Sequence, residues 1–228
     1  MPRIISRMSL LVVAMVLAVP AARAQTAAQP KVQPGPSEPD WLVLLDRLYA
    51  LRMFDDLANP VRTTVEATPG LFRKAGPGPV RFTPVLALGL EVTIRGGTYP
   101  SGEGATAERE LWSYQHKTTA KQIETGKDLL PPLHAGSTTE FDPGASTFGF
   151  WVGNDQFKDK VFTEPKRVKA SNKRLAPQPY KAMIYPYRDP KTREVVPNSY
   201  LIGWEYSTND DFQDIVGRVD NVVLIEPR

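Results

Sequence analysis

Tyr200-Leu201-Ile202-Gly203-Trp204-Glu205-Tyr206 is a run of aliphatic and aromatic residues that closes on an acid. Ser207 to Asp214 then reads S-T-N-D-D-F-Q-D, and Ile215-Val216-Gly217-Arg218-Val219 resumes the apolar pattern. Two short apolar runs parted by a loop of turn-formers are consecutive strands, because neither run has the length or the 3.6 period of a helix. Working back from this pair, the same texture repeats. Lys181 to Tyr187, Phe148-Gly149-Phe150-Trp151-Val152 and the alternating Glu110 to Gln115 all read as strands. Val80 to Ile94 is a long apolar stretch interrupted by Pro84 and Gly89, which makes it two strands or one bulged strand. Ser199 to Tyr206 and Ile215 to Ile225 complete the set, and Arg62 to Thr68, at its start, alternates Thr64 and Glu66 with Val65 and Ala67.

Turn chemistry separates these runs. Gly96-Gly97, Tyr99-Pro100-Ser101-Gly102, Asp142-Pro143-Gly144 and Arg188-Asp189-Pro190 are expected turns, as is Ser207 to Asp211. The chain's 22 prolines and 16 glycines fit many turns and short elements. The expected fold is therefore mainly β, an antiparallel β-sandwich of jelly-roll type spanning residues 61–228. Gly153 to Pro179 is rich in Lys, Arg, Asp and Pro and reads as a long surface loop around one short strand at Val161-Phe162-Thr163.

The first 60 residues read differently. Arg3 and Arg7 precede an apolar run from Met8 to Pro20, and Ala22-Arg23-Ala24 offers the small residues a signal peptidase needs. Residues 1–24 are thus an expected signal peptide, too short in its apolar part to span a bilayer, which takes about 20 residues. Export to the periplasm or the cell exterior follows, with no transmembrane segment after cleavage. Residues 25–39 are rich in Pro, Gln, Ala and Ser and form an expected linker. In residues 40–60, Trp41, Leu44, Leu45, Leu48, Leu51 and Phe54 share one face of an expected helix over Asp40–Ala58 that packs on the sandwich. Docking of a partner protein is the alternative use of that face.

Charge changes its meaning once the signal is removed. The chain has 28 Lys and Arg against 25 Asp and Glu, and residues 1–24 hold Arg3, Arg7 and Arg23 with no acid, leaving 25 against 25. The basic excess that would speak for nucleic acid leaves with the signal, so no nucleic-acid partner is expected. No cysteine is present, so neither disulfides nor thiolate metal sites exist.

The densest polar cluster is Asn209, Asp210, Asp211 and Asp214, with Glu205 at the end of the strand before it. Closely spaced oxygen donors suit a hard cation, and calcium is the expected ligand; the spacing is not that of an EF-hand. A turn rich in Asn and Asp is the plainer reading of the same residues. His116 and His134 are the only histidines, and their spacing builds no metal or catalytic motif. Outward-facing aromatics are a second candidate surface. Trp112, Tyr114 and Tyr206 are the expected exposed members and would stack on sugar rings, whereas Trp151 and Trp204 belong to the core. The functional expectation is a non-enzymatic, calcium-stabilised module that binds a surface polysaccharide or a protein. The alternative is an exported hydrolase acting on glycans with two carboxylates drawn from Glu108, Glu110, Asp142, Glu164 and Glu205.

The segment Val196-Pro197-Asn198-Ser199-Tyr200-Leu201-Ile202-Gly203-Trp204-Glu205, followed by Asn209-Asp210-Asp211-Phe212-Gln213-Asp214-Ile215-Val216, resembles the C-terminal signature of a family of exported bacterial all-β domains of unknown function. That signature is an apolar strand ending in an acid, a loop of the form (N/D)-x-D-(F/Y)-x-D, and an aliphatic strand. Asp142-Pro143-Gly144 before Phe148-Gly149-Phe150-Trp151-Val152, then Phe162-Thr163-Glu164 and Ala182-Met183-Ile184-Tyr185-Pro186, follow the same order. The resemblance implies a secreted or surface location, neighbours that handle carbohydrate or adhesion, and an acidic loop of Asn209, Asp211 and Asp214 with Glu205. Asp210 departs from the glycine common at its position.

Overall fold

A computed structural model of the chain describes residues 70–87, 92–102, 107–116, 132–156, 160–164, 167, 181–189, 191–192, 194–205 and 214–225. The expected signal peptide, linker and helix, and the strand at Arg62 to Thr68, lie outside these residues. Among the described residues no helix is long and apolar enough to cross a membrane.

The described chain is mainly β and forms two antiparallel sheets. The strands are β1 (Leu71–Lys74), β2 (Val80–Ala87), β3 (Val92–Pro100), β4 (Arg109–His116), β5 (Glu140–Phe141), β6 (Phe148–Asn154), β7 (Lys160–Phe162), β8 (Ala182–Arg188), β9 (Val195–Trp204), β10 (Ile215–Asp220) and β11 (Val222–Ile225). One sheet runs β11-β1-β6-β3-β4, with β7 also paired to β6; the other runs β5-β2-β10-β9-β8. The interrupted stretch from Val80 resolves into two strands, β2 and β3. Pro84 lies in β2 where the ladder to β10 shifts between Val216 and Gly217, because a proline has no N–H to give the ladder.

Aromatic rings join the two sheets. Phe82 on β2 stacks on Trp112 of β4 with centroids 5.2 Å apart, and its ring lies 5.6 Å from Phe150 and 5.8 Å from Trp204. Phe72 on β1 meets Tyr200 on β9 edge-on at 5.9 Å. These contacts mark a sandwich-like core shared by both sheets. The far face of β8–β10 is buried as well, since Met183, Tyr185, Leu201 and Val216 lie outside that core and are 1 % exposed or less.

Two expected features change. Gly96-Gly97 is not a turn but the middle of β3, at a bulge opposite β4. The absent side chains have a local purpose: a Cβ on Gly96 would fall 2.0 Å from the Trp112 ring, and one on Gly97 2.0 Å from the Arg109 carbonyl. A glycine pair that reads as a turn is here a seat for a large ring. Ile215 to Ile225 is also not one strand. Asn221, at φ 65°, breaks it and sends β10 and β11 into different sheets. Asn tolerates this left-handed conformation better than other side chains do. Its Oδ1 accepts from the Gly76 N–H at 2.9 Å, and its Nδ2 lies 3.1–3.4 Å from the carbonyls of Gly76, Pro77, Gly78 and Pro79. One side chain thus ties the β10–β11 corner to the β1–β2 corner.

Candidate functional site

Glu205 follows β9 and Asp214 precedes β10, and the registered pairs Ala182↔Trp204 and Ile215↔Trp204 place Lys181, Glu205 and Asp214 one step further along three adjacent strands. The Glu205 N–H donates to the Lys181 carbonyl at 3.0 Å, which holds that step closed. All three residues are withdrawn from solvent, with Lys181 1 %, Glu205 0 % and Asp214 6 % exposed. Lys181 immediately precedes β8, Glu205 immediately follows β9 and Asp214 immediately precedes β10. Buried charges of this kind are tolerated only when compensated. The acids bracket residues 206–213, so Asn209, Asp210, Asp211 and Tyr206 lie outside the described residues. Among the described residues no group of three or more His, Asp or Glu side chains is arranged to hold a metal.

Tyr114 adds an electrostatic link to this end of the molecule. Burial pushes its phenol well above the ordinary tyrosine range, and the Asp214 charge pushes it further. Tyr99, on β3, is raised chiefly by burial too. A neutral phenol whose ionisation is deferred in the folded state contributes stability below the ordinary tyrosine pKa of about 10 and loses it as pH rises further. Stability measured by denaturant titration is therefore expected to hold up to about pH 9 and then fall, by at most about 1.4 kcal/mol per pH unit for each buried phenol. Tyr114→Phe is expected to flatten that fall.

The aromatic surface is corrected by the structure. Trp112 is 2 % and Tyr114 0 % exposed, and their rings stack on each other in the core with centroids 5.6 Å apart. Neither offers a face to a sugar. Alternation along β4 does not mark an exposed side, because Leu111 and Ser113 are buried as well. Residues 134–138 run along the free edge of β4: the His134 N–H donates to the Ser113 carbonyl at 2.8 Å and the Thr138 N–H to the Leu111 carbonyl at 2.7 Å. There, Ser113 Oγ lies 3.2 Å from His134 Nδ1. No carboxylate among the described residues hydrogen-bonds that imidazole, so this contact pins the loop and lacks the third member of a nucleophilic relay.

Three of the five carboxylates considered for hydrolysis, Glu108, Glu110 and Asp142, are held in ion pairs. Glu110 pairs with exposed Arg95 at 3.2 Å, and Asp142 with Lys74 at 2.7 Å. Glu108 is the least exposed of the ion-paired ones; it accepts from Lys160 at 2.6 Å and from Arg167 at 3.2 Å. Lys160 sits 4.0 Å above the Trp151 ring and Arg167 4.1 Å above the Tyr99 ring. Sequence reasoning does not find this cluster, since Lys160 is 52 and Arg167 59 residues from Glu108. Its stacked cations and paired carboxylate clamp the start of β4 to the β6–β7 hairpin.

Comparison with family models, with curated proteins and with solved structures finds no match to the chain.

Proposed function

We propose that the chain is an exported, non-enzymatic interaction module, stabilised by calcium and binding a surface polysaccharide or a protein partner. The observation that carries this reading is the placement of Glu205 and Asp214. Two buried carboxylates on neighbouring strand ends bracket a loop that supplies Asn209, Asp210 and Asp211, and hard cations take six to eight oxygens of this kind. A bound cation would take oxygens from both strand ends and from the loop between them. Export rests on the three-part pattern of residues 1–24, and the resemblance to exported all-β domains points the same way. The jelly-roll reading of the sandwich is supported by the repeated crossing between sheets, which occurs at β1–β2, β2–β3, β4–β5, β5–β6, β7–β8 and β10–β11.

Thermal melting of residues 25–228 in calcium and in chelator tests the reading. At tenfold excess over Kd, ligand linkage adds about 1.4 kcal/mol. For a domain of this size the melting temperature then rises by about 3–6 °C in calcium. Superimposable melts would remove calcium from the account.

A further inference from the structure

A cleft of about 210 Å³ opens where β3 ends and β4 and β6 begin. Tyr99, Phe141 and Phe148, with Pro100 and Pro143, form its apolar lining, and Arg109, Asp142 and Ser146 its polar one. The last three are exposed, while the three rings are buried at 0–5 %. The rings form a rigid base, and the partly exposed Pro100 and Pro143 with the polar groups at the mouth are what a small ligand would meet. The cleft's volume falls below the roughly 300 Å³ at which drug-sized pockets begin, so it takes one ring at a time.

Charge decides the class of ligand. Asp142 Oδ1 accepts from Lys74 Nζ at 2.7 Å and from the Gly144 N–H at 2.9 Å. The Lys74 ammonium and the Gly144 N–H hold its carboxyl below the usual range. This acid is already neutralised by Lys74, and it leaves Oδ2 to accept from a ligand. Arg109 is different: among the described residues no acid pairs with its guanidinium. The cleft therefore carries one uncompensated positive charge, in the planar fork that matches a carboxylate. A zwitterion would bring an ammonium that Asp142 has no need of. A ring with an apolar face, hydroxyl donors and a single carboxylate satisfies every group present.

We infer that this cleft binds a uronic acid residue of a polysaccharide, with Arg109 on the carboxylate, Asp142 Oδ2 and Ser146 on hydroxyls, and the partly exposed Pro100 and Pro143 against the apolar face of the ring. The inference rests on the polysaccharide side of the reading above and names its ligand and its place. The cleft is not the acidic loop. Tyr114, which senses Asp214, lies five residues along β4 from Arg109, about 17 Å at the rise of a strand.

Calorimetric titration of the full chain with trigalacturonate, and with maltotriose as the neutral trisaccharide, tests it. Trigalacturonate is expected to bind and maltotriose not. Arg109→Gln is expected to weaken binding about tenfold or more, as loss of a charge-assisted contact does. Arg73→Gln makes the same charge change at an exposed position of β1 outside the cleft and is expected to leave binding unaltered. Equal loss in both variants, or equal binding of both sugars, would overturn the assignment. Binding of trigalacturonate that Arg109→Gln does not weaken would overturn the cleft while leaving a polysaccharide-binding module. Binding of neither sugar would overturn the uronate inference, and the calcium melts would still decide the loop.

Discussion

Phe82→Ala is expected to cost about 3–5 kcal/mol, the usual range for emptying a buried aromatic site. Few single substitutions should cost more, because the Phe82 ring touches Trp112, Phe150 and Trp204 at once and so fastens β2 to β4, β6 and β9. It also covers Gly217 of β10, where a Cβ would lie 2.1 Å from the ring. The surroundings cannot easily collapse into the space, since the facing wall is a second large ring held by its own stack with Tyr114. Domains of ordinary stability have only about 5–15 kcal/mol to lose. The variant should therefore denature at much lower urea with an unchanged slope, and Phe82→Leu should recover most of the loss. A small shift for Phe82→Ala would mean that the two sheets are joined elsewhere.

Asn221→Ala is expected to cost about 2–3 kcal/mol. About 1 kcal/mol is the penalty for holding alanine at φ 65°. The remainder is the loss of hydrogen bonds to the Gly76–Pro79 turn, at about 1 kcal/mol each. Two companions separate the terms. Asn221→Gly keeps the backbone free to turn and should cost only the hydrogen-bond part. Asn221→Asp keeps an acceptor for the Gly76 N–H but faces a carboxylate toward four carbonyl oxygens, and should be as damaging as alanine. Urea denaturation of the three variants checks the order; a glycine variant as unstable as the alanine one would assign the whole cost to the hydrogen bonds.

Those two sites also show where the sequence speaks and where it falls silent. The runs at Phe148, Lys181, Ser199 and Ile215 are legible because buried strands need unbroken apolar stretches, and these form β6, β8, β9 and β10. The short strands β1 and β5 leave no such trace: Glu140–Phe141 is two residues long, and its pairing to β2 depends on a partner some 60 residues away. Gly96-Gly97 and Asn221 mislead for a related reason. Glycine and asparagine signal special backbone or close approach, and only the tertiary partner (a tryptophan ring or a distant turn) shows which. The aromatic residues of β4 fail as a surface because alternation tells the two faces of a strand apart without telling whether either face is wet. For the candidate site, the acids at 205 and 214 are visible in sequence, but their burial and their alignment with Lys181 are not. Lys181 precedes Glu205 by 24 residues and reads only as the first residue of a strand. The Glu108 clamp and the Arg109 cleft are assembled by sheet packing from segments far apart in the chain, which no local pattern records.

The claim that matters most is that the loop bracketed by Glu205 and Asp214 holds calcium. Titration of residues 25–228 with calcium in a calorimeter addresses it without passing through stability. Binding at one site per chain is expected, with Kd of about 10⁻⁴–10⁻³ M, the range of extracellular calcium modules. It should vanish in a Glu205→Gln, Asp214→Asn double variant whose circular dichroism remains that of a folded β protein. Absence of binding up to about 10 mM calcium, or an unchanged titration in the double variant, would contradict it.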